Sequence, residues 1–122
     1  MTPKKATQQL TKQHNRDLVL RTIIENQQIS RADIARATKL TRATVSEVVS
    51  GLMAEGLVEE VGLDTSGNGK PSILLSLVPD SRYLIGLNLG QDKFIGAIVN
   101  LSGEIKETVE VPIVGSDKKA LQ

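Results

Sequence analysis

Two helix-forming segments joined by almost no linker constrain this chain more than any other feature. The first, "ISRADIARATKL", opens on Ser30 with Asp33 three residues on, a capping box with Asp in the Glu/Gln place. Ser30 can accept a bond from an unpaired backbone N–H, and Asp33 favours the positive helix end. Ile34, Ala35 and Thr38 then share a face, and Ala35 is small enough to let another helix pass close by. This helix ends near Thr38 or Lys39, and Thr41 already stands where it can cap the next. The second segment, "TRATVSEVVSGLMAEGL", places Val45, Val48, Val49 and Leu52 at i, i+3, i+4 and i+7, with Met53 beside them. Gly56 stops it as a left-handed C-terminal residue. Helices with so short a link must meet at a steep angle, which is a helix-turn-helix layout.

The flanking sequence completes a larger unit. From Asn15 to Asn26, Val19, Leu20, Ile23 and Ile24 fall on one helical face, and Leu18 lies off it, either as a lone exposed Leu or as part of a dimer contact. Residues 1–14 are polar and without periodicity, which reads as a mobile basic arm. Downstream, "LVEEVG" and "SILLSLV" read as strands, with Ile73, Leu75 and Leu77 on one side and Ser72 and Ser76 on the other. Between them "LDTSGNGKP" is a turn. Three helices and a β-hairpin make a winged helix-turn-helix over residues 15–79. Residues 80–115 then hold three consecutive strands with turns at Gly90–Asp92 and Leu101–Gly103, an antiparallel meander that buries one face poorly and reads as the start of something larger. Residues 116–122 are a tail. The fold class is α+β.

Composition narrows the function. Cysteine is absent, which excludes a disulfide framework or a thiolate zinc site. The apolar runs fall far short of a membrane span, and the N-terminus lacks the apolar stretch of a signal peptide. The expectation is a cytoplasmic protein with no membrane partner, no metal and no cofactor. Net charge is only +1, but it is unevenly spread. Residues 1–50 hold nine Lys/Arg and four Asp/Glu, a net +5; residues 51–122 hold six and ten, a net −4. A basic front half suits a polyanionic partner.

The outer face of the third helix points the same way. Opposite Val45 lie Ala43, Ser46, Glu47, Ser50 and Ala54, flanked by Arg42 and Thr44, and most of these side chains are short. A helix entering the major groove needs short residues where it approaches the bases and longer donors at its edges, with base contacts from its first turn. Arg42 can donate twice to a guanine or once to a phosphate. Thr41, Thr44 and Ser46 can bond phosphates or base edges, Ala43 can touch a thymine methyl, and Glu47 can accept from cytosine. The wing tip, Asn68, Gly69, Lys70 and Pro71, combines close backbone approach with a cation and suits a minor groove, or is a plain hairpin with a solvated Lys. Arg16, Arg31, Arg36 and Lys39 are candidates for phosphate contacts, Arg31 among the binding residues proper. His14 reads as surface.

Taken together, "DLVLRTIIENQQISRADIARATKLTRATVSEVVSGLMAEGLVEEVG", a Gly-rich wing ending in Lys-Pro, and "YLIGLNLGQDKFIGAIVNLSGEI" resemble the ROK family of regulators, in its xylose-repressor branch. The resemblance covers about residues 15–113. It implies a dimeric or tetrameric repressor whose winged helix binds a palindromic operator on double-stranded DNA. It also implies that the meander begins an actin-like, RNase H-like lobe which senses a sugar inducer through sequence absent from this chain. The zinc-binding Cys/His cluster of the family is expected there as well. On this reading the chain is a fragment or a shortened relative, and its meander is a sheet with an open edge prone to pair with another copy. The positions carried over are Thr41 to Glu47 and Asn68 to Pro71.

Three departures from the family pattern stand out. Lys39 occupies the turn where relatives often have Gly, at a cost of about 1–2 kcal/mol if left-handed. Asn68 and Lys70 stand where many family wings carry Arg. Asn88-Leu89-Gly90-Gln91-Asp92 replaces the acid and Gly-Gly-Thr of the kinase phosphate loop, so phosphoryl transfer is not expected. The resulting expectation is a non-enzymatic, sequence-specific repressor of sugar (xylose-type) utilisation genes. A sugar kinase of the same superfamily and a winged helix used for protein contacts are the alternatives.

Overall fold

A computed structural model describes residues 3–67 and 69–114. The chain divides into two compact units, one ending at Val78 and the other beginning at Pro79.

The first unit contains α1 (Pro3–Asn26), β1 (Ile29–Ser30), α2 (Arg31–Thr38), α3 (Arg42–Ala54), β2 (Val58–Asp64) and β3 (Ser72–Leu77). The capping logic of the sequence holds at both helix starts. Ser30 Oγ accepts from the Asp33 N–H at 3.2 Å, and Thr41 Oγ1 accepts from the Thr44 N–H at 3.1 Å. α3 ends as Gly56 (φ 76) turns left-handed; its N–H donates to Met53 O and the Leu57 N–H to Leu52 O, both at 3.0 Å. This paired pattern needs a residue without a Cβ penalty, and it drives Leu57 into the core.

The three helices and the sheet close on Val19, Ile23, Ile34, Val45, Val49, Leu52 and Leu75, all fully buried. Each such side chain contributes about 1.5–3 kcal/mol by leaving water. The sheet order is β1-β3-β2, antiparallel throughout, with Ile29 opposite Leu75 and Ser30 opposite Leu74. A bulge between Glu60 and Gly62 breaks the β2–β3 register, a feature that locally bends and twists a strand.

Four local expectations change. Helix α1 begins at Pro3, so the described part of the expected arm, 3–14, is helical. Lys, Gln and Ala there are good helix formers, and Gln13 Nε2 donates to Asp17 at 3.0 Å one turn on. Apart from Pro3, Ala6 and Leu10 that stretch is polar, and apolar periodicity cannot reveal such a helix. On the same helix Ile24 is 51% exposed, and Thr22 is buried in its stead. The Thr22 hydroxyl tolerates this by donating to Leu18 O at 2.8 Å. The wing strands reach further than expected, to Asp64, and Ile73, opposite Leu63 on the outer hairpin, stays exposed. Finally, the two-residue β1 had no sequence signal of its own. The expected tail, 116–122, lies outside the described residues.

The second unit is a three-stranded antiparallel meander, β4 (Tyr83–Leu89), β5 (Lys93–Asn100) and β6 (Ile105–Pro112), after a short 3₁₀ turn at Pro79–Ser81. Both expected turns fall where the sequence placed them. Its one buried side chain among the described residues is Asn100. The Asn100 Oδ1 accepts from the Ser102 and Glu104 N–H groups at 3.0 and 2.9 Å, while its Nδ2 donates to Asp80 and Glu104 carboxylates at 3.1 and 3.3 Å. Lys106 joins this corner at 3.1 Å from Glu104, whose carboxylate, with Asp80, raises the ammonium above the ordinary lysine value. The apolar side chains of the outer strands, Ile85, Leu87 and Leu89 among them, remain exposed, while Ile95, Ala97, Ile98 and Val99 of β5 are half-buried.

Candidate nucleic-acid interface

The turn between α2 and α3 sets the geometry of the candidate site. Lys39 adopts φ 64, ψ 15, left-handed as the sequence implied, and its N–H donates to Ala35 O at 2.9 Å. Thr38 Oγ1 donates to Ile34 O at 2.7 Å and accepts from the Leu40 N–H at 3.3 Å. A chain tied this tightly has one path from α2 into α3.

Val45, Val49 and Leu52 anchor α3 to the core, which turns Thr41, Arg42, Ala43, Ser46, Glu47 and Ser50 outward, all exposed, with Thr44 half-buried. Thr41 Oγ1 donates to Thr44 Oγ1 at 2.9 Å besides capping the helix, so the two hydroxyls form one fixed pair. The Thr44 hydroxyl can donate to an outside acceptor. α3 therefore offers its first turn as a preset surface with a cation, two hydroxyls and a methyl, and nothing bulky between them. Its positive helix end adds to the attraction for phosphate.

The basic residues separate into two groups. Arg16 holds Glu55 at 3.0 Å, Arg31 holds Glu60 at 3.2 Å and touches Met53 Sδ at 3.7 Å, and Arg36 holds Asp33 within α2. Arg31 thus braces α2 against β2 and α3, a role its position in sequence did not suggest. Arg42, Lys39 and Lys70 form no ion pair among the described residues, and all three are exposed. At the wing the Asp64 carboxylate accepts from Ser66 N–H and Oγ at 3.0 and 2.5 Å. Those bonds lower its pKa from the ordinary 3.8 and close the turn. Gly69 (φ 131), Lys70 and Pro71 follow, all exposed. Asn68 lies outside the described residues.

Sequence reasoning missed the other wall of the α3 surface. Lys12, Asn15 and Arg16 of α1 border Thr44, Glu47, Val48 and Gly51 across an open groove of about 310 Å³. Without a helix assigned to residues 3–14, nothing could place Lys12 there. Among the described residues no group of three or more His, Cys, Asp or Glu is arranged to hold a metal. None of the described helices is long and apolar enough to cross a membrane.

Three helices, a steep α2–α3 turn and a two-stranded wing define a winged helix-turn-helix domain, and residues 18–67 match the MarR family. The chain is homologous to bacterial xylose repressors and to the regulator NagC. It is 39% identical over 114 residues to the xylose repressor of Caldicellulosiruptor bescii, covering 92% of this chain and 28% of that protein. It is 37% identical over 100 residues to the xylose repressor of Bacillus spizizenii, covering 82% and 26%. With the DNA-binding transcriptional dual regulator NagC of Escherichia coli it shares 30% over 115 residues, covering 93% and 28%. The chain thus spans about a quarter of the length of these curated relatives. A crystal structure of a ROK family transcriptional regulator, a homolog of the E. coli MLC protein, superposes with a TM-score of 0.68 over 84% of this chain and 26% of its own, at 23% identity. That likeness speaks for the fold.

Proposed function

We propose that this chain binds double-stranded DNA in a sequence-dependent way and acts as a transcriptional repressor of sugar-utilisation genes. The observation that carries the reading is the exposed face of α3. Its first turn is capped, its side chains are short, and Arg42 stands at its edge with no ion pair among the described residues. In this reading α3 enters the major groove, Arg42 donates to a guanine edge, and Thr44 and Ser46 bond bases or phosphates. Lys70 follows the adjacent minor groove or its phosphates. Two copies related by a two-fold axis read the halves of a palindrome about one helical turn apart. Relatives named for xylose and N-acetylglucosamine support a sugar-utilisation regulon, and the chain performs no catalysis in this reading.

The test is selection of preferred duplexes from a random pool, followed by affinity measurements on the preferred and a scrambled sequence. Arg42→Ala is expected to lose about 1–3 kcal/mol on the preferred duplex and less on the scrambled one. Equal losses on both make Arg42 a phosphate clamp, and the absence of any preferred duplex refutes sequence reading.

A further inference from the structure

One face of α1 changes character along its length. Val19 and Ile23 are fully buried on it. Stepping back by three, four and seven residues keeps to the same face and reaches Arg16, Lys12 and Lys5. Arg16 is half-buried, and Lys12 and Lys5 are exposed. The stripe that packs into the core at its C-terminal end is therefore cationic where the helix has left the core. From residue 3 to residue 16 there is no acidic residue, and the first, Asp17, lies off the stripe with Gln13 bonded to it. A helical stretch this polar gains little from packing, and isolated helices of such length are marginal in water.

The position of this stripe is fixed relative to α3. Arg16 Nη2 reaches both Glu55 oxygens, at 3.0 and 3.2 Å, and so pins α1 to the end of α3. One turn earlier, Lys12 borders the groove whose far wall is Thr44, Glu47, Val48 and Gly51. The groove holds two carboxylates: Glu55 is taken by Arg16, and Glu47 belongs to the outward face of α3. Lys5 and Lys12 are about 10 Å apart along the helix axis, far enough to meet two different phosphates of one DNA strand.

We propose that the N-terminal half of α1 is a phosphate-binding rail beside α3, with Lys12 as its principal contact and Lys5 as its outer one. The rail follows the sugar-phosphate backbone bordering the groove that α3 enters. It carries no sequence information; it adds affinity and fixes the register of α3. Charge complementarity selects this occupant over a second copy of the helix, which would meet the same cations and offers only Ala6 and Leu10 as apolar contacts on this half. The proposal rests on the DNA-binding reading, and its test is arranged to separate the two.

The probe is a mixed-sequence 30-base-pair duplex, since a backbone contact needs no operator. Binding to the full chain is measured by fluorescence anisotropy from about 50 to 300 mM salt, a range in which the counterion contribution is large. Lys12→Gln is expected to reduce the slope of log K against log salt by about 0.9, and Lys5→Gln with Lys12→Gln by about 1.8. The wild-type and double-variant curves should converge as salt rises. Gln matches Lys in helix propensity, so circular dichroism should be unchanged. Lys93→Gln, in the second unit, should leave the slope as it is. If the wild type binds and the double variant keeps its slope, the rail is refuted while the α3 reading stands. If the variants shift the sedimentation coefficient with no change in slope, the face belongs to a second copy and the rail is likewise refuted. If the wild type binds no duplex, both proposals fall.

Discussion

The two units of this chain contrast in how they are held together. Residues 3–78 close an apolar core that draws on all three helices and the sheet, with seven large side chains fully withdrawn from water. Residues 79–114 form an antiparallel meander whose pairing is broken only by a register shift between Ile98 and Val99, yet they bury only Asn100 and leave Leu84, Ile85, Leu87 and Leu89 at 63–75% exposure. The lesson is that strand pairing and a core are separate achievements. Backbone hydrogen bonds contribute modestly to net stability because water offers the same bonds, whereas apolar burial is the dominant favourable contribution. The winged helix has both, and the meander has one plus a polar corner.

Substitutions can break or sharpen that contrast. The largest effect is expected from Leu75→Ala, which should cost about 2–5 kcal/mol in denaturant unfolding of the winged helix, because it leaves a cavity at the centre of β3. Leu87→Ala, on an exposed sheet face, should stay within about 0.5 kcal/mol. Similar losses at both sites would mean that the sheet face is covered in solution. Next comes Asn100→Ala, which removes a buried hub and leaves the Ser102 and Glu104 N–H groups without their acceptor. Its expected cost is about 1–3 kcal/mol, read as faster amide hydrogen exchange in β5 and β6 with α1–α3 unaffected. Smaller still, Lys39→Gly should stabilise the winged helix by about 1 kcal/mol, because φ 64 suits glycine. A destabilised Lys39→Gly would show that the Lys39 side chain supports the turn in a way its backbone does not reveal.

Much of the first unit was legible because its signals are local. Ser30 and Thr41 announce helix starts, Gly56 announces a stop, and Val45, Val49 and Leu52 give the buried stripe at helical spacing. The meander was equally plain, since its turns at Gly90–Asp92 and Leu101–Gly103 punctuate it. What escaped depends on partners distant in sequence or on polar structure without a pattern. Arg31 finds Glu60 twenty-nine residues away, and no spacing rule predicts that pair. Thr22 takes an inward place that Ile24 seemed to claim, and its hydroxyl is satisfied within the helix by Leu18 O. Helix 3–14 has too few apolar residues to betray it, and nothing in the strand "KFIGAIVN" marks its last residue, Asn100, as the point where four bonds converge. Of the candidate site, the α3 surface could be traced from its first turn, whereas the α1 wall beside it could not.

The central claim is that the outward face of α3 lies against base pairs. Amide chemical-shift mapping on addition of a selected duplex tests it most directly. The account predicts the largest shifts at Thr41 to Gly51, with smaller ones at Ser66 to Lys70, and little change from Leu84 to Val111. Shifts concentrated on β4–β6, with Arg42 and Ser46 unmoved in a saturated complex, would contradict it.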